Sequence, residues 1–370
     1  MMRRARTAAA HVFVCVALVW LAATGVAQAQ VTTFDGLDAP IVRVNLRDGD
    51  IVIRTWDRPT VSVDGDPSLL VERRTTRQSG EPYPLPVPPA QARTAEGPAY
   101  LPAESFVVST IPAGPRDVIF VKSPAVGTNA GAAPTAVTIT VPSGSVFVSA
   151  HTTGGTLDVH DYRGGTLYAT VFRGRISLTN VGGAVFAQST RGALTVADSS
   201  FDRLRARSLT GNVTFERCRA RQIEATSVNG SIVYDGGVFE PGLARFESTR
   251  GDVAIGTSGP AEIGAHAAGG GRVYTSFDHA VRIDGRAGQT SAVVGGGGPV
   301  VNATSQSGNV YLYDGSLRGR GQMGPEWDSP IGALQRPGER PPRTDGRTFS
   351  PPPSAAPRKY GRRRNYRSGG

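Results

Sequence analysis

Asp158, His160 and Asp161, with His151 just upstream, are the residues whose types and spacing come nearest to chemistry. Two carboxylates and an imidazole on one strand are the equipment of acid–base or calcium-assisted cleavage of an acidic polysaccharide, and right-handed β-helices include such lyases and hydrolases. Residues two apart on a strand share a face, so Asp158 and His160 point the same way. One repeat further on, however, the position of Asp158 is taken by Ser177, then by Thr195 and Thr214. No second carboxylate arrives, and a solvated polar face is the better reading. His266 and His279 lack metal-ligand spacing, and the glycine run 295–298 lacks the repeated aspartate of calcium-binding nonapeptides. Neither G-x-S-x-G nor a phosphate-binding loop occurs. Asp235, Asp252, Asp284 and Asp314 lie at or near turns, where aspartate bonds its own backbone. The expectation is a chain with no catalytic residues, no metal and no cofactor.

The elements that carry these residues repeat. One series of apolar pairs begins at Leu157, Ile176, Leu194, Val213, Ile232, Val253, Val273, Ala292 and Val310, in steps of 18 to 21 residues. A second begins at Leu167, Val185, Leu204, Ile223, Ala244, Ile263, Val281 and Val301, about half a period away. Each pair buries two side chains of a strand and exposes the one between. A single unit cannot form a core, whereas stacked copies bury a continuous one. Gly155, Gly174, Gly192, Gly211, Gly230 and Gly251 precede the pairs by two places, where the chain turns. The pattern predicts an all-β fold, a β-solenoid (β-helix-like) of about nine coils of 18–21 residues. The alanines of the second series, Ala169, Ala187, Ala206, Ala225, Ala265 and Ala303, predict a thin side to the core. Outward-facing Arg205, Glu224 and Arg245 form a ladder of alternating charge. Tyr274 and Tyr311 occupy equivalent outward places near the C-terminal end, where aromatics stack on a sugar ring or cover an end of the fold; the second suits them better.

The chain has 370 residues and a formal net charge of +10, very unevenly placed. Residues 1–29 carry Arg3, Arg4 and Arg6, an apolar run and Ala27-Gln28-Ala29, the order of a secretory signal peptide cleaved after Ala29. Residues 30–78 read as an N-terminal β cap and 79–104 as a proline-rich insertion. The repeat domain spans 105–316. Residues 317–370 hold 12 Lys or Arg against four acidic residues, ending in a cluster with Arg362, Arg363 and Arg364. That composition predicts a disordered basic tail. Most of the net charge therefore belongs to the tail, and the near-neutral body gives no support for nucleic-acid binding. Cys218 is alone once the leader leaves with Cys15, and reads as a buried structural thiol.

N-G-S-I (229–232), R-G-D-V (250–253), S-G-N-V (307–310) and D-G-D-I-V-I-R-T-W-D (48–57) are turn-and-strand signatures. They resemble the exported bacterial β-strand-repeat family called putative adhesins, a domain of unknown function, over roughly Pro40 to Gly315. The resemblance implies fold and export, and supplies no catalytic residues. The reading that follows is a non-catalytic, exported adhesion or interaction module of the periplasm, outer surface or medium. Its expected partners are envelope glycans or other polyanions held by the basic tail, and no segment of the mature chain is apolar enough to cross a bilayer. A β-helix polysaccharide-active enzyme and a self-assembling envelope protein are the alternatives.

Overall fold

The structure is a computed structural model that describes residues 30–78, 114–123, 135–145, 147–277, 282–286 and 288–315. The chain divides into two compact units, Met1–Gly324 and Pro325–Gly370, and every described residue lies in the first. The signal-peptide, proline-rich and tail assignments, with Ala29, Arg362, Arg363 and Arg364, fall outside the described residues.

The described chain is strand and turn throughout, without helix. In order the strands are β1 (Gln30–Phe34), β2 (Ile41–Trp56), β3 (Val61–Gly65), β4 (Leu70–Gln78), β5 (Gly114–Lys122), β6 (Thr135–Pro142), β7 (Phe147–His160) and β8 (Thr166–Thr179). Then come β9 (Gly182–Arg191), β10 (Leu194–Ala197), β11 (Ser200–Thr210), β12 (Val213–Glu216), β13 (Arg219–Asn229), β14 (Ile232–Phe239), β15 (Leu243–Arg250) and β16 (Val253–Thr257). The last are β17 (Ala261–Ala267), β18 (Val273–Ser276), β19 (Arg282–Arg286), β20 (Gln289–Val294), β21 (Val300–Ser305) and β22 (Val310–Asp314).

The strands close into a seven-strand parallel barrel, which overturns the open solenoid expected from the repeat. β8 pairs with both β9 and β10; β9, β11 and β13 follow along one row, and β10, β12 and β14 along the other. β13 and β14 then pair with each other through Arg219↔Val238 and Ala220↔Phe239, which completes the ring. The repeat encodes which copy lies beside which, and Leu157, Ile176, Leu194, Val213, Ile232 and Val253 are in register as expected. It does not encode the corners. β8 runs unbroken through Gly174, and β13 begins at Arg219, directly after the corner residues that follow β12.

Chain order and stacking order also part company after β16. Val310 lies between Val253 and Val273, and Val301 lies between Ala244 and Ile263. Ala292 sits in antiparallel β20 opposite Ile263. At the other end, β2 is inserted between β7 on one side and β5 and β6 on the other. Hydrophobic spacing dictates only that each pair faces inward, so it cannot reveal such exchanges of neighbour.

Three columns of residues hold one layer on the next. At the first corner, Gly174, Gly192, Gly211 and Gly251 adopt φ of +141° to +146°. A Cβ on Gly192 would stand 1.5 Å from the carbonyl oxygen of Gly174, so the glycines are needed for contact as well as for turning. Beside them runs a buried column of Ser189, Ser208, Ser227, Ser248 and Ser305. The hydroxyls of Ser227, Ser248 and Ser305 donate to the carbonyls of Gly211, Gly230 and Gly251 at 3.2, 2.9 and 2.8 Å. These bonds satisfy carbonyls that would otherwise be buried without a donor. At the second corner Asp161, Asn180, Asp198 and Arg217 all take φ between +51° and +57°, the left-handed turn conformation that short polar side chains tolerate best. The Asn180 amide donates to Asp161 at 2.5 Å, and Arg217 grips both oxygens of Asp198 at 2.6 and 2.8 Å.

The core is aliphatic over most of its length. Alanines 169, 187, 206, 225, 265 and 303 are buried in one column, with Phe246 lying between Ala225 and Ala303. There the thin side is filled: Phe246, Phe215, Tyr234 and Phe239 pack ring against ring, with centroids 4.4 to 6.2 Å apart.

Candidate interaction surface

The outer face of the β9, β11, β13 and β15 row carries a run of registered charge. Arg205, Glu224 and Arg245 occupy successive strands as the repeat requires. Arg205 binds Glu224 at 2.7 Å, and Arg207 reaches the same carboxylate at 3.3 Å. Arg245 turns instead to Glu247 on its own strand, at 2.6 Å. Arg203 donates to the Gln222 amide oxygen at 3.0 Å. The alternating ladder is thus real between two strands and is replaced by a same-strand pair on the third. All these groups are at least partly exposed, where single pairs contribute about 0–1 kcal/mol.

Tyr274 and Tyr311 are brought together on adjacent β18 and β22, with rings 5.2 Å apart and 11° from parallel. Tyr311 is buried and Tyr274 is 38 % exposed, so the pair presents one ring, not two. The Asn309 amide donates to the Tyr311 hydroxyl at 3.2 Å. Burial and the nearby Asp252 carboxylate push the Tyr311 phenol above its ordinary range.

A second outward group was not recognisable as such in the sequence. Phe147, Tyr168 and Phe186 lie outside the barrel, because their chain neighbours Val148, Leu167 and Val185 belong to the core inside it. Tyr168 stacks on Phe186 with centroids 4.7 Å apart, tilts against Phe147 at 5.2 Å, and is joined by Ile41 and Val118. Burial pushes the Tyr168 phenol up to about 12, against the opposing pull of Arg205. The available signal was an aromatic at the position that each Φ-x-Φ pair ordinarily gives to a polar residue.

The structure does not assemble the carboxylate and imidazole candidates into a site. Asp158 lies in register with Val52 and Ser177, and His160 with Arg54 and Thr179. Asp161 is held by Asn180 at the left-handed corner. His151 faces Asn45 and Thr170, and burial pushes its imidazole below the ordinary range. Other carboxylates are likewise engaged by a backbone amide or a neighbouring side chain. Asp50 accepts from the Thr156 amide at 2.6 Å, Asp252 from the Asn309 amide at 2.7 Å, and Asp235 from the Tyr313 hydroxyl at 3.0 Å. Cys218 is buried, and burial pushes its thiol up to about 12, which leaves it protonated at neutral pH. His279 lies outside the described residues. No helix of the described residues is long and apolar enough to cross a membrane.

No protein-family model matches the chain, and no curated protein does. Among solved structures it is similar to one described as a putative cell adhesion protein from Clostridium sporogenes, at 7% sequence identity and a TM-score of 0.24, over 77% of this chain and 99% of that one. Likeness at that level transfers neither fold nor function.

Proposed function

We propose that the protein is a non-catalytic, exported interaction module of the cell surface or envelope. The observation that carries this reading is the employment of its carboxylates. Asp50, Asp161, Asp198, Asp235 and Asp252 are each engaged by a backbone amide or a neighbouring side chain of the turns and columns that hold the layers together. Acid–base or calcium chemistry requires carboxylates that converge on a common point, and here they are distributed along corners. What the fold offers a partner is a rigid sheet face with arginine and glutamate at strand spacing, about 4.8 Å. The basic segment 317–370 adds a polyanion-binding element of the kind that recognises lipopolysaccharide or acidic polysaccharide.

The test is a screen of acidic polysaccharides with the purified protein, with and without calcium, scored by new reducing ends and by unsaturated products. No turnover is expected. Turnover that disappears in Asp158→Ala would replace this reading with the enzyme.

A further inference from the structure

The barrel and its flanking strands form two rows, and each row ends in two edges. One row runs β4, β5, β2, β7, β8, β9, β11, β13, β15, β21, β17, β20, β19. The other runs β1, β3, β6, β2, β7, β8, β10, β12, β14, β16, β22, β18. Among the described residues, each of the four terminal strands pairs with a single neighbour.

The edges differ in kind. β4 reads LVERRTTRQ and carries Glu72, Arg73 and Arg74, charges that discourage further strand addition, and β19 reads RIDGR in sequence. β1 reads QVTTF and β18 reads VYTS, without a charged residue in either. Val31 on β1 is 59% exposed and Tyr274 on β18 is 38% exposed. The inward residues are also incompletely covered: Phe34 on β1 and Val273 on β18 pack against the core but remain partly open.

Strand polarity decides what these two edges suit. β1 is antiparallel to β3 and β3 is antiparallel to β6, so β1 runs in the direction of β6. From β6 to β18 every link in the row is parallel. β1 and β18 are therefore opposite ends of one row and run the same way. We propose that the β18 edge of one copy docks the β1 edge of a second, extending the row by a parallel pairing. The occupant is another copy because each molecule carries both uncharged edges, with matching direction, one at each end. Such a contact is heterologous: it leaves one edge open on each copy and adds further copies until a ring closes. Four or five residues per strand make a small contact, well under the roughly 1,200 Å² of stable complexes, so assembly is weak and driven by concentration. This inference stands apart from the proposed interaction role and survives if that role is wrong.

Sedimentation velocity over a concentration series, using protein expressed from the full sequence, tests it. The wild type is expected to show a sedimentation coefficient that climbs with concentration. Val31→Lys and Tyr274→Lys should each stay at the monomer value, with unchanged strand content by circular dichroism. Tyr274→Phe, which keeps the ring, should associate like the wild type. Mixing the two lysine variants in equal amounts should yield a dimer and nothing larger, because one retains an intact β18 edge and the other an intact β1 edge. A wild type that stays monomeric throughout, a Val31→Lys protein that associates like it, or a mixture that remains monomeric would overturn the proposal.

Discussion

Gly192→Ala is expected to abolish the folded state at ordinary temperature, although it adds one methyl group. The new Cβ would lie 1.5 Å from the Gly174 oxygen and 2.6 Å from its carbonyl carbon, both backbone atoms that no side-chain rotation can move. The residue also sits at φ +145°, which an L side chain resists. Relief requires the whole layer to separate from the one before it. That breaks the β10 contact with β8 and the adjacent serine column, so a loss above about 4 kcal/mol is expected, at the extreme of single substitutions. Gly144→Ala is the control: nothing lies within 4 Å of its Cβ, and it should stay within about 1 kcal/mol of the wild type. Denaturant unfolding followed by circular dichroism reads both. A cooperative Gly192→Ala transition at the wild-type midpoint would show that the glycine column is not a contact.

Tyr234→Ala carries the second-largest expected effect. The ring is fully buried and stacks on Phe239 at 4.4 Å, with Phe246 and Phe215 against its other sides. Its hydroxyl donates to the Cys218 carbonyl at 2.8 Å. Removing an aromatic from such a site costs about 3–5 kcal/mol. Tyr234→Phe keeps the packing and loses only the hydroxyl's hydrogen bond; the Cys218 carbonyl still accepts from the Val238 amide at 3.1 Å, so only about 0.5–1.5 kcal/mol is expected. Cys218 provides an independent readout. Its thiol is buried beside Tyr234 and should label slowly in the wild type and much faster in Tyr234→Ala. Equal labelling rates in the two proteins would contradict the aromatic packing.

The parts of the fold that were legible in the sequence are those fixed by side-chain alternation. Leu157, Ile176, Leu194 and Val213 are buried and in register because a pair of apolar residues at a constant interval has few other ways to be buried. The closure of the ring was not legible. It depends on Ala220 meeting Phe239, two residues in segments whose composition suggests turns. Nor was the insertion of β21 and β22 beneath β15 and β16, since Val301 and Val310 satisfy the same pattern in either order. On the surface, the pairing of Arg205 with Glu224 followed from spacing, while the turn of Arg245 to Glu247 did not. Long side chains choose among several neighbours at similar distance. The stacking of Tyr274 on Tyr311 depended on strand exchange, and so was hidden for the same reason as the exchange itself.

The glycines and serines give a general physical reason for the regularity. A repeat that sets a glycine carbonyl against the next corner glycine, and in its later layers a serine hydroxyl on that carbonyl, constrains residue type on structural grounds alone. Function is therefore expected at positions released from that constraint, namely the outward arginines, the exposed ring of Tyr274 and the basic segment 317–370.

On the proposed reading these positions hold a partner and perform no chemistry on it. The most direct measurement is a binding array of glycans and anionic envelope components, including lipopolysaccharide and heparin, probed at two ionic strengths. Saturable binding to at least one polyanion is expected, weakening as salt rises, with the salt-sensitive part lost when residues 317–370 are deleted and strand content unchanged. No binding to any component, or salt-sensitive binding that is equal with and without residues 317–370, would contradict the account.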